Sequence, residues 1–102
     1  MRLQPGSRAA ALYGVDHVSE DYFCRYGLNP AFRAPLERSG LRVSGVDDQD
    51  EVRIVELDDH PFFMATLFCF QTRSRPGAPH PLVTGLVDAA REAPRPPSGV
   101  RA

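Results

Sequence analysis

The stretch "VRIVELDDHPFFMATLFCFQTRSRP", residues 52–76, decides how this chain is to be read. It opens on a β-branched run, crosses the acidic pair Asp58 and Asp59, and resumes as "HPFFMATLFCFQ". Runs of β-branched and aromatic residues bounded by Asp and Pro are strand signals. The second run is too apolar for a solvated edge, so its composition predicts a central strand. Its end carries Cys69 and Gln71, which on a strand would point to one face. That face is a working site, the remnant of one, or plain core.

Working outward, "LRVSGV" (41–46) and "EVRIVEL" (51–57) flank the acidic turn of Asp47, Asp48, Asp50 and Glu51, which reads as a hairpin. Upstream, "NPAFRAPLERSG" begins with a capping Asn29 and with Pro30 at the first helical position, and Gly40 can end it. Pro35 predicts that this helix is short and imperfect. The segment "EDYFCRYGLN" (20–29) suits a strand that stops at Gly27, and "MRLQPGSRAA" (1–10) a short strand followed by a turn. The run "HPLVTGLVDAAREA" predicts a C-terminal helix with Leu82, Val83, Leu86, Val87 and Ala90 as its apolar stripe. Gly85 should weaken its middle. Residues 94–102 read as a disordered tail. The expected order is strand, strand, helix, hairpin, strand, helix.

At 102 residues the chain is long enough for one small domain. A net charge of -1 leaves no electrostatic footprint for nucleic acid or an anionic membrane. No apolar run approaches the roughly 20 residues of a membrane span, and the start lacks a signal-peptide core. The expectation is a cytoplasmic protein without a cofactor. Cys24 and Cys69 have no neighbouring Cys or His at zinc-ligand spacing, and the acidic turn lacks the spacing and glycine of a calcium loop. No metal site is expected. Two reduced, half-buried thiols are the simple reading of the cysteines.

Taken in order, "RYGLNP", "GLRVSG", "VRIVELDDHPFFMATLF" and "SRPGAPHPLVTGLVDAA" resemble the C-terminal half of the class I glutamine amidotransferase (glutaminase) domain of CTP synthase. The resemblance covers residues 1–93. It implies an α/β chain, part of a flavodoxin-like fold, with a mixed sheet, a β-hairpin and a C-terminal helix. It also implies a chemistry. In this family a Cys on a Gly-x-Cys-x-Gly elbow attacks the glutamine amide, a His activates the thiol, and a Glu two residues on orients the His. A base that lowers the thiol pKa makes the nucleophile, and a carboxylate sets the tautomer of the base. The ammonia would pass to a synthetase domain that aminates UTP to CTP.

The departures from that pattern are specific. Where the family strand ends "FHPEF", this chain has "FCFQT". Cys69 stands at the position of the base and Gln71 at that of the orienting carboxylate. A neutral amide cannot stabilise an imidazolium, and neither Cys24 nor Cys69 lies on a glycine elbow. Losing such residues costs many orders of magnitude in rate. Arg25 matches the family Arg that meets the glutamine α-carboxylate, which a guanidinium fork suits; a plain surface Arg is the alternative. Gly27 replaces a family Glu and Cys24 a family His. His60 and His80 precede prolines in family turns and are expected to be structural, and His17 a solvated loop residue. Arg73 and Arg75 are expected to be solvated or at an interface.

Met1 falls on a methionine internal to the family pattern, so either the start is misassigned or the chain is a genuine fragment. A fragment would lack the first half of the sheet, and an uncovered edge invites pairing. It would be marginally stable alone, a homo-oligomer, or dependent on a protein partner. Three readings stand. One is a non-catalytic relative that binds glutamine through Arg25 or serves as an interaction module. Another is one subunit of a split glutaminase feeding ammonia to UTP-to-CTP amination. The third is a thiol redox protein using Cys69 and Cys24.

Overall fold

A computed structural model describes residues 1–21 and 26–92. Among these residues four strands form one sheet in the order β1 (Arg2–Leu3), β2 (Leu41–Val46), β3 (Val52–Leu57), β4 (Met64–Thr66). The helices are α1 (Arg8–Tyr13), α2 (Arg33–Arg38) and α3 (Pro81–Glu92), with 3-10 turns at Pro30–Phe32 and Phe70–Arg73. The α/β class, the hairpin and the C-terminal helix are those the sequence predicts. The expected mixed sheet is antiparallel at every pair among the described residues. Segments 47–51 and 58–63, which join β2 to β3 and β3 to β4, are shorter than the dozen or so residues a parallel crossover needs.

The hairpin β2–β3 pairs Val43 with Val55 and Leu41 with Leu57. Its turn is built on Asp47, whose Oδ1 accepts the backbone N–H of Gln49 and of Glu51, both at 2.9 Å. Asp47 Oδ2 and Glu51 Oε2 each take Arg53 Nη2 at 2.8 Å. Burial alone would raise the Asp47 pKa, but these backbone donors and the Arg53 guanidinium outweigh it and hold the carboxyl below its usual range.

The expected helix with a difficult Pro35 exists, and its geometry resolves the difficulty. Asn29 Oδ1 accepts the N–H of Ala31 at 3.0 Å, Pro30–Phe32 turns as 3-10, and α2 then starts afresh at Arg33. Pro35 thereby falls in the first turn of α2, where a backbone N–H has no intrahelical partner to lose.

Three expectations are corrected. First, residues 8–13 form a helix where only a turn and loop were expected. Ser7 Oγ accepts the N–H of Ala10 at 3.1 Å, and Gly14 closes the helix at φ 75°, with its N–H on the Ala10 carbonyl at 2.9 Å. Six residues do not hold a helix alone. The deciding support comes from β3, where the Glu56 side chain, buried at 2% exposure, accepts Arg8 N–H on Oε1 at 2.8 Å and Ala9 N–H on Oε2 at 3.2 Å. Second, among the described residues β4 stands at the end of the sheet and not in its middle, pairing there only with β3. The apolar run beyond it leaves the sheet, and Phe68 joins the core of Leu3, Ala9, Ile54 and Leu82. Third, the packed face of α3 is turned from the predicted stripe. Leu82 and Gly85 are buried, whereas Leu86 and Val87 stand 53% and 46% exposed. Gly85 does not merely weaken the helix. A Cβ there would lie 2.6 Å from Leu12 Cδ2, so the missing side chain is what lets α1 approach α3.

The strand expected over residues 20–27 falls chiefly on 22–25, outside the described residues; Glu20, Asp21, Tyr26 and Gly27 are in no strand. The expected tail also lies outside them.

Glu56→Ala strands the helix N–H groups of Arg8 and Ala9, the second of them buried, and the expected loss is roughly 2–4 kcal/mol. Urea unfolding of the full chain should show it as a lower midpoint. Glu56→Gln, which keeps an acceptor oxygen, should lose less.

Candidate functional site

The positions that would carry family chemistry sit just past β4. Thr66 Oγ1 donates to the Phe68 carbonyl at 3.1 Å, the Cys69 N–H donates to the Asp21 carbonyl at 2.9 Å, and the 3-10 turn Phe70–Arg73 follows. Cys69 and Gln71 therefore do not share a strand face. Cys69 is half-buried at the entry of the turn and Gln71 is exposed on it. Among the described residues no side chain hydrogen-bonds the Cys69 sulfur. Arg25 and Cys24 lie outside the described residues.

A second strap fastens this turn. The Thr72 hydroxyl lies 2.6 Å from Asp21 Oδ2 and 2.8 Å from the Cys69 carbonyl, and Arg73 Nη2 stands 3.5 Å from Asp21 Oδ1. The Thr72 hydrogen bond, with help from Arg73 and Arg75, holds the Asp21 carboxyl below its ordinary 3.8 against a smaller upward push from burial. Arg73 is thus ion-paired and not merely solvated. Arg75 Nη1 donates to the Thr72 carbonyl at 2.8 Å and folds back on its own loop.

Behind the turn lies a buried cluster that sequence reasoning missed. Glu20, its side chain 5% exposed, accepts on Oε2 from both the Tyr13 hydroxyl and His80 Nε2. His80 Nδ1 accepts the Leu82 N–H at 3.1 Å, so the network assigns the ring proton to Nε2, facing the carboxylate. The His80 backbone N–H donates to Ser74 Oγ at 3.1 Å. Tyr13 meets the ring edge-on at 5.5 Å between centroids, and Phe70 lies at 5.6 Å. Burial, then the hydrogen bond to Glu20, raises the Tyr13 pKa, so the phenol stays a donor. Glu20 Oε1 has no hydrogen bond among the described residues; Arg73 Nε stands 3.9 Å away. A cleft of about 440 Å³ opens here, lined by Tyr13, Glu20, Arg73 and His80 among others. The sequence separations of 7 and 60 residues hid this contact, since no local pattern joins Glu20 to Tyr13 or His80.

The cluster holds elements together and contains no nucleophile. It ties α1, the segment around Glu20 and the start of α3 into one knot, which fits the structural role expected of His80. His60 likewise acts locally, its Nδ1 accepting the Phe62 N–H at 3.0 Å, and His17 is exposed beside Asp16. Among the described residues no group of three or more His, Cys, Asp or Glu could hold a metal ion, and no helix is long and apolar enough to cross a membrane.

No family model matches the sequence. Individual proteins do. A CTP synthase of Chloroflexus aggregans is 46% identical over 91 residues, and one of Synechococcus sp. strain JA-3-3Ab is 48% identical over 90. These alignments take in 88% and 87% of this chain but only 17% and 16% of those proteins. Among solved structures, the glutaminase domain of Trypanosoma brucei CTP synthase with bound acivicin superposes at a TM-score of 0.79 and 28% identity, covering 92% of this chain and 38% of that one. The fold is therefore that of part of a glutaminase domain, of the class I glutamine amidotransferase kind. The glutaminase domain it matches is that of CTP synthase, and the chain spans about 17% of the length of the curated relatives.

The depressed Asp21 pKa sets the sign of an acid effect. Its contribution to stability is present above the ordinary carboxylate range and is lost as pH falls through the folded-state value. Carboxyl-carbon NMR titration should find Asp21 below 3.8, moving back toward it in Thr72→Val.

Proposed function

We propose that this chain is a CTP synthase-type glutaminase segment that does not itself hydrolyse glutamine. The observation that carries this reading is the substitution at the aligned active-site positions, Cys69 for the base and Gln71 for its orienting carboxylate. The local geometry supports it. Gln71 faces solvent on a 3-10 turn, and the nearby histidine, His80, is committed through both ring nitrogens to Leu82 and Glu20. A base so engaged has no free lone pair for a thiol. Arg25 remains as the residue to receive a glutamine α-carboxylate, which makes the segment a glutamine-binding or protein-interaction module. A cytoplasmic setting and a place in pyrimidine nucleotide synthesis accompany that reading.

A second reading rests on the similarity to a glutaminase domain: a nucleophile supplied by another polypeptide would make this chain the complement of a split glutaminase. Its ammonia would then feed UTP-to-CTP amination.

An ammonia-release assay separates the two. The full chain with glutamine should release no ammonia above the buffer rate, and adding the N-terminal part of a CTP synthase glutaminase domain should not change that. Release on mixing establishes the split enzyme, and release by the chain alone overturns the proposal. Calorimetry with glutamine should show binding that Arg25→Ala weakens by about tenfold or more, the size of a lost charge-assisted hydrogen-bonded pair. Binding that Arg25→Ala leaves unchanged removes Arg25 from the site.

A further inference from the structure

Beside β1 and β2, a cleft of about 370 Å³ is lined by Arg2, His17, Arg33, Ser44 and Asp50 among others. Two arginines from distant parts of the chain converge there on one carboxylate. Arg2 Nη2 lies 3.4 Å from Asp50 Oδ1, and Arg33 Nη1 lies 3.4 Å from Asp50 Oδ2 and 3.4 Å from the Asp50 carbonyl. Both contacts are longer than the roughly 2.7–2.9 Å of a well-made charge-assisted bond. Asp50 is held there by an unusual backbone, φ 61°, on the exposed tip of the β2–β3 turn, and its side chain is 68% exposed. Ser44, on β2, lines the same cleft, is buried, and has a hydroxyl with no hydrogen-bond partner among the described residues.

We propose that Arg2 and Arg33 form an anion site for a phosphate group, and that the Asp50 carboxylate occupies that site in its absence. A fork of two guanidinium groups suits a phosphate better than a carboxylate. The Asp50 carboxylate offers each arginine a single oxygen, whereas a phosphate offers enough oxygens to bridge both groups at once. Asp50 can leave without disturbing the core, because its side chain projects from the turn and Asp47 carries the turn's backbone hydrogen bonds. Two groups set the limits of the site. Asp16 opposes a dianion from the His17 side, and Glu37 holds Arg33 Nε at 3.1 Å, which orients the guanidinium and partly neutralises it. The cleft has room for more than an inorganic ion, so the phosphate is free or is carried on a small organic molecule.

The test is isothermal titration of the full chain with inorganic phosphate and, separately, with glycerol phosphate, at constant ionic strength set by chloride. Saturable binding is expected, tighter by about tenfold in Asp50→Asn, the size of two exposed ion pairs removed from competition. Arg33→Gln should abolish it while leaving the thermal melt unchanged, since Arg33 projects from α2 into the cleft. Arg2→Gln should do the same, and Arg33→Gln decides the matter alone if the Arg2 variant fails to fold. Preference for glycerol phosphate identifies an organic phosphate, and equal affinity identifies the free ion. Absence of saturable binding to Asp50→Asn, or binding that survives Arg33→Gln, overturns the proposal.

Discussion

One buried carboxylate organises this molecule. Glu56 sits in the middle of β3 with its two oxygens on the first two amides of α1. A carboxyl side chain in the core is costly unless its lone pairs are filled, and the N-terminus of a helix supplies donors of the right polarity to fill them. The dependence runs both ways. A helix of six residues has no stability of its own, and Glu56 has no other reason to be buried. Once α1 is fixed, Leu12 lies over Gly85 and positions α3, and Tyr13 is delivered to Glu20 and His80. The sheet, two helices and the turn after β4 are thereby tied through a short chain of contacts that begins at one carboxylate.

What could be read in advance follows from range. The hairpin was legible because its signal is local, two β-branched runs about a turn whose Asp47 can bond its own neighbours. The helix at 81–92 was legible by periodicity. Its packed face was not, because that face is chosen by Leu12, some seventy residues earlier, and not by the helix's own stripe. Helix α1 was missed for the same reason. Its local signals, Ser7 as cap and Gly14 as stop, are modest, and the decisive support comes from Glu56. Among the described residues β4 stands at the end of the sheet, and the high apolar content read as two sheet neighbours has another cause. In the structure those side chains, Phe68 and Phe70, face the core and the His80 ring.

The site shows the same division. The sequence reading of Cys69 and Gln71 rests on the chemistry of a thiol and an amide, which needs no coordinates. The strand geometry assumed for them did not survive. A 3-10 turn starts at Phe70, held by Thr72 to Asp21, and takes the two side chains off a common face. Glu20 was invisible because its partners lie in other elements.

This bears on how far a family resemblance can carry function. The features that hold this fold are the buried knot of Tyr13, Glu20 and His80, the Glu56 cap, and the hairpin turn. On the proposed reading, the departures from the family pattern are Cys69 and Gln71, where chemistry would be done. Packing and catalysis place separate demands on a sequence, because a core residue answers to dozens of small contacts and a catalytic one to a single proton or bond. A chain can therefore keep the first set of demands, and with it nearly half the identities of its relatives, while the second lapses. His80 makes the distinction concrete. It is a buried imidazole close to the turn where a base would be needed. Yet with Leu82 on one nitrogen and Glu20 on the other, both ring nitrogens serve the fold.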